Sequence, residues 1–167
     1  MDMSYDNEFP CGFGRLIANI VQLEFAIRVA LHLQEPEQHR MHTETLRDLK
    51  PGDVLPENFL TNWGSLGNLI REYNARETAR GGAAIDSGIV DLRDALAHGR
   101  ISSSTAASQY RLIRFSKPRG GDRKVTVEQI DTLTLEWLDQ QIRRTVAATV
   151  PVHNRIMELN PSARRAR

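Results

Sequence analysis

Cysteine is almost missing from this chain, which has one, Cys11, in 167 residues. A single thiol cannot staple a monomer, so stability must come from a packed core, and the usage fits a reducing compartment. Aromatic residues are scarce, at 6 %, so that core must be built mainly from Leu, Ile, Val and Ala. No apolar run approaches the ~20 residues needed for a membrane-crossing helix. The stretch Met1 to Glu8 is acidic and lacks the basic head of a secretion signal. Cytoplasmic localisation without a membrane partner is therefore the expectation. Net charge is small as well, since 22 Lys and Arg against 21 Asp and Glu leave +1. Overall charge does not announce nucleic acid, and any anion-binding surface must be local. The absence of an internal repeat excludes a solenoid.

What is present suits one globular domain, predicted over residues 1–160, with 161–167 as a basic mobile tail carrying Arg164, Arg165 and Arg167. Residues before Pro10 read as loosely docked. A helix is predicted from about Phe13 to Leu33, with Leu16, Ile20, Leu23 and Ile27 in its apolar stripe. Glu24 falls inside that stripe, where an unpaired carboxylate is costly. Two readings are open: a local pair with Arg28, four residues on, or a reach toward a functional site elsewhere. A polar, Pro-punctuated connection follows. Its His39 and His42 read as solvent-facing, and no metal site is expected. A second helix is predicted from about Glu57 to Ala79, with Phe59, Trp63, Leu66, Ile70 and Tyr73 as core, ended by Gly81-Gly82.

The stretch from Ile85 to Gly99 reads as a helix with two unlike sides. Ile85, Ile89, Leu92 and Leu96 form an ordinary core stripe at about 100° per residue. The other side carries Asp86, Val90, Arg93, Asp94, Ala97 and His98. A helix buried on one side has no need to place Arg, Asp and His around a strip of small residues, so this side is read as lining a cleft or a partner surface. Beyond it, Ser102 to Thr105 reads as a polar loop. Tyr110–Phe115 and Lys124–Val127 read as the two strands of a hairpin insert over residues 109–127. Arg111, Arg114, Lys117 and Arg119 make that hairpin a candidate for phosphate contacts, and a solvated edge is the competing reading. A last helix is predicted from Thr132 or Thr134 towards Asn160, kinked or restarted at Pro151.

The spacing Arg93-x4-His98, with Asp94 straight after the Arg and Gly99 straight after the His, resembles the HEPN superfamily of small helical proteins, many of them ribonucleases. The resemblance implies a mainly α fold, an antiparallel four-helix bundle, here decorated with a β-hairpin before the last helix. It implies a symmetric homodimer whose motif helices meet at a cleft, and RNA cleavage with no metal and no cofactor. The ribose 2′-hydroxyl attacks the adjacent phosphate and leaves a cyclic phosphate end.

The residue types suit that chemistry. His98 can carry a proton, and Arg93 offers a cationic fork to phosphate oxygens. Asp94 would orient either of them or contact the nucleotide. Glu24 and Asp86 are candidates for support, and Arg100, with the hairpin cations, for RNA binding. Five residues along a helix separate Arg93 and His98 by about 7.5 Å of rise and about 140° of rotation. They are poor neighbours within one helix, and a two-fold axis would supply each from a different subunit. The expected function is a metal-independent endoribonuclease of the toxin or defence kind, under control of an antitoxin or regulatory protein. Two other readings remain open. One is a non-catalytic dimer binding RNA, a nucleotide or a protein through the same cleft. The other is a structural Arg93 paired with Asp86 or Glu24, with His98 capping its helix.

Overall fold

A computed structural model describes residues 3–41, 46–104, 109–118 and 124–160. Among these, four α-helices, one 3-10 turn at Glu37–His39 and one small antiparallel sheet account for the regular structure, so the fold is mainly helical. No helix among the described residues is long and apolar enough to cross a membrane. The chain divides into two units, each drawn from two stretches: Met1–Ile20 with Gly88–Thr145, and Val21–Ser87 with Val146–Arg167. Helices α1 (Met3–His32) and α4 (Leu135–Leu159) therefore each contribute to both.

In the first unit, α1 begins well before the expected Phe13 and runs through Pro10. Proline forfeits one ladder hydrogen bond there. Tertiary contact offsets it: Phe9 is buried and stacks on Tyr110 with ring centroids 4.4 Å apart. Cys11 is thus on a helix rather than a loose end, and is exposed. Gly12 lets α4 come close, because a Cβ there would lie 3.2 Å from Leu138 Cδ1. Helix α3 spans Ile89–His98, four residues shorter at its start than the sequence suggests. Its buried side is Ile89, Leu92 and Ala95, while Leu96, expected in the core, is only half-buried.

The sheet is a three-stranded meander, not a hairpin: β1 (Arg100–Ser104), β2 (Gln109–Phe115) and β3 (Val127–Leu133) lie in that order. The serines that read as a loop form an edge strand. Arg100 pairs with Ile113 and Ser102 with Arg111. An edge strand needs little apolar content, which is why its composition misleads. β3 starts three residues later than expected and runs to Leu133, and Tyr110 pairs with that leucine. On β2, Tyr110, Leu112 and Arg114 turn towards the helices, and Leu112 is buried. Arg111 and Ile113 take the opposite face. Near the end of the pairing, Arg114 opposes Gln129 and Phe115 opposes Val127, so Glu128 is an extra, bulged residue.

In the second unit, helix α2 spans Leu66–Ala79, starting nine residues later than predicted. Arg28 explains the delay. Its guanidinium donates to the carbonyls of Phe59 (3.1 Å), Asn62 (3.0 Å) and Gly64 (2.7 Å), which fixes this stretch as a turn. Ser65 then caps the helix by accepting from the Asn68 amide. Trp63, read from the sequence as core, is 100 % exposed on that turn. The expected stop at Gly81-Gly82 is present: Gly81 has φ +76°, and the amides of Gly81 and Gly82 bond the carbonyls of Thr78 and Glu77. His32, at the end of α1, is fully buried between Glu35 (Nδ1 to Oε2, 2.6 Å) and the Met41 backbone.

Glu77 is buried and its carboxylate is held by Arg80, with Arg155 of α4 3.5 Å away. Tyr73, one turn earlier, is buried beside it and its hydroxyl has no hydrogen-bond partner among the described residues. Burial, reinforced by the Glu77 charge, pushes the Tyr73 phenol up to about 12. Helix α4 continues through Pro151 to Leu159.

Candidate functional site

Helix α3 and strand β1 are joined by a single residue, Gly99. Its backbone is extended, with φ −69° and ψ 174°, so the glycine is not there for a left-handed turn. It is there for space: a Cβ would lie 2.7 Å from Leu112 Cδ1 and would run into the Ala95 carbonyl. Its amide closes the helix on Ala95 O at 2.8 Å, and β1 begins at the next residue. The last turn of α3 is thereby pressed against β2, with His98 exposed at its end.

Between them lies a cleft of about 490 Å³, bounded by Asp94 and His98 on α3, by Arg114, Phe115 and Lys117 on and after β2, and by Glu128 on β3. Four sequence-predicted residues of different roles, His98, Asp94, Arg114 and Lys117, come together here. Arg93 does not line the cleft but is tied to it: Nη1 lies 2.9 Å from Asp94 Oδ1. Its Nε is buried without a hydrogen-bond partner among the described residues. The carboxylate facing the cleft is therefore held from behind by the guanidinium.

The cations divide sharply. Arg114 Nε donates to the bulged Glu128 at 3.1 Å, and Nη1 lies 3.6 Å from Asp91. The hydrogen bond to Glu128 pushes the Arg114 pKa above its ordinary value, so its charge is permanent and largely neutralised. Lys117 is exposed and makes no ion pair among the described residues. Arg100 folds back on the helix end, donating to the carbonyls of His98 (3.1 Å) and Gly99 (3.2 Å), a C-terminal cap rather than an open phosphate ligand. Arg111 is exposed on the outward sheet face, away from the cleft. Arg119 lies outside the described residues, as do His42 and the basic tail.

The two supporting candidates lie elsewhere. Glu24 belongs to the second unit and accepts from Arg28 Nη2 (2.9 Å) and Nε (3.2 Å), the local pair that the spacing of four allows. Asp86 is exposed in the segment before α3, also in the second unit. That segment is not helical because Asn74 holds it extended, its amide bonding both N–H (2.8 Å) and C=O (2.9 Å) of Ile85. No group of three or more metal-ligating side chains occurs among the described residues.

Sequence reading missed Glu128, Asp91 and Phe115 as members of the site. Asp91 carried a signal, its spacing of three from Asp94 on one helix. Glu128 carried none, because a bulge is a property of pairing. Searches against family models, curated proteins and solved structures find no match for the chain.

Proposed function

We propose that this chain is a metal-independent endoribonuclease of the HEPN kind, acting as a homodimer built on a helical bundle. The observation that carries the proposal is the cleft where exposed His98 meets Asp94, with Lys117, in no ion pair among the described residues, on the opposite wall. The reaction requires a proton relay and positive charge near a phosphate. His98 takes the proton of the ribose 2′-hydroxyl as that oxygen attacks phosphorus, or gives one to the departing 5′-oxygen. Lys117 supplies charge from the cleft wall, and Arg93 adds its own across the dimer cleft, from the subunit opposite His98. The products are a 2′,3′-cyclic phosphate and a 5′-hydroxyl, and the atoms balance without water or metal. Ala97 beside His98 is small and exposed, so a second α3 can approach closely. An antitoxin or regulatory protein would act by covering this opening.

One observation favours the non-catalytic alternative. Among the described residues no side chain bonds the His98 imidazole, and Arg93 is engaged by Asp94. A dimer that binds RNA, a nucleotide or a protein without cutting would have the same features. RNA cleavage by purified protein with chelator present separates the two. The enzyme reading expects cyclic phosphate ends from the wild type and none from His98→Ala at equal dimer content. RNA retained equally by both proteins and left uncut would establish the alternative.

A further inference from the structure

Trp137, at the start of α4, lines a second cleft of about 530 Å³ within the first unit. Asp131 and Gln129 of β3, Asp91, Arg114 and Arg144 complete the part that matters. Arg114 lines both this cleft and the one at His98, so the two share a wall. Trp137 and Arg144 are seven residues apart on α4, two turns along one side of the helix.

The lining selects among ligands. An indole beside a carboxylate, an amide and the Arg144 guanidinium is what an unstacked nucleotide requires: a stacking surface, an edge reader and a phosphate ligand. Bare phosphate is a poor match, because Asp91 and Asp131 offset Arg114 and Arg144 in charge. The base must then supply the specificity. Asp131 is half-buried and is held at 2.5 Å by the Gln129 amide, which orients it. An ionised carboxylate only accepts hydrogen bonds, so it pairs best with two neighbouring N–H donors. Among the RNA bases, only guanine presents two such donors side by side, N1–H and N2–H₂.

We propose that this cleft binds guanine, stacked on Trp137 with its N1–H and N2–H₂ donated to Asp131, and its phosphate directed to Arg144. Guanine binding stands on this lining alone; its role as the base-recognition subsite of an RNA cleavage site rests on the ribonuclease reading. Free guanine nucleotide and guanosine within a single strand share this chemistry.

The test uses the full chain with Trp63→Phe. Trp63 is 100 % exposed, and the chain has two tryptophans, so this leaves Trp137 as the only indole. GMP should quench its fluorescence saturably, and AMP, CMP, UMP and inorganic phosphate should bind at least ~10-fold more weakly. Asp131→Asn should weaken GMP by about the same factor, and His98→Ala should leave it unchanged. Calorimetry on Trp137→Leu repeats the test without the reporter, should Asp131→Asn fold poorly. Equal response to all four nucleotides, response to phosphate alone, or indifference to Asp131→Asn overturns the proposal. A single-stranded oligonucleotide with one guanosine that outbinds GMP identifies RNA as the source, and equal binding identifies the free nucleotide. A protein that binds GMP selectively but cuts no RNA defeats the ribonuclease reading and keeps this one. Cleavage without guanine selectivity does the reverse.

Discussion

In the second unit Glu77 is 3 % exposed and lies between Arg80 and Arg155, whereas in the first unit His98 stands exposed with no side chain among the described residues bonding its imidazole. Arg28 of the second unit is likewise consumed, by Glu24 and by three carbonyls that shape a turn. Lys117 of the first unit is consumed by nothing among the described residues. Glu77 and Arg28 are thus structural, and His98 and Lys117 chemically available. Sequence alone does not separate the two classes, because an arginine reads the same whether or not its charge is occupied. What separates them is burial, which makes a charge either paired or intolerable.

The largest expected effect comes from breaking the structural side. Glu77→Ala removes the buried carboxylate between Arg80 and Arg155, leaves them only the more exposed Glu158, and should cost about 3 kcal/mol, read from urea unfolding. Cleavage per folded molecule should be unchanged; a loss would join the two units functionally and dissolve the contrast. On the available side, His98→Ala should lower RNA cleavage by at least ~100-fold while shifting stability by less than about 0.5 kcal/mol. Unfolding of that variant would move His98 to the structural class.

Gly99→Ala should destabilise by about 1–3 kcal/mol, because the added methyl meets Leu112 and a backbone carbonyl that cannot retreat. Tyr73 gives a pH signature. Its folded pKa is raised, so its contribution is fully present below the unfolded value near 10 and is lost as pH rises through about 12. Stability should fall across that window in the wild type and fall less steeply in Tyr73→Phe, checked by denaturant midpoints at stepped alkaline pH. The smallest effect is Trp63→Phe, within about 0.5 kcal/mol, since that side chain is fully exposed.

Much of the helical part is legible in the sequence. The stripes of α1 and α2, the Gly81-Gly82 stop and the placement of His98 at a helix end all follow from local patterns, because each depends on neighbours a few residues away. The misses share a different origin. Phe9 holding α1 past Pro10, Arg28 suppressing the first turn of α2 and Asn74 extending Ile85 are long-range contacts that override local preference. The strand β1 was hidden because serine carries no sheet signal of its own. At the cleft, His98, Asp94 and Arg114 were legible as candidates, but their meeting was not. The basic count of the hairpin overstated its open charge, since Asp91 and the bulged Glu128 occupy Arg114.

The one-residue joint at Gly99 has a mechanical consequence. With no loop between helix and strand, the imidazole inherits its position from sheet register, as a pointer soldered to a ruler. Sequence drift elsewhere on the surface leaves that alignment intact, whereas a single insertion after His98 would rotate every residue of β1 to the opposite face. Adjustment of the cleft must then come from its far wall, where Phe115 and Lys117 can be substituted without moving the histidine.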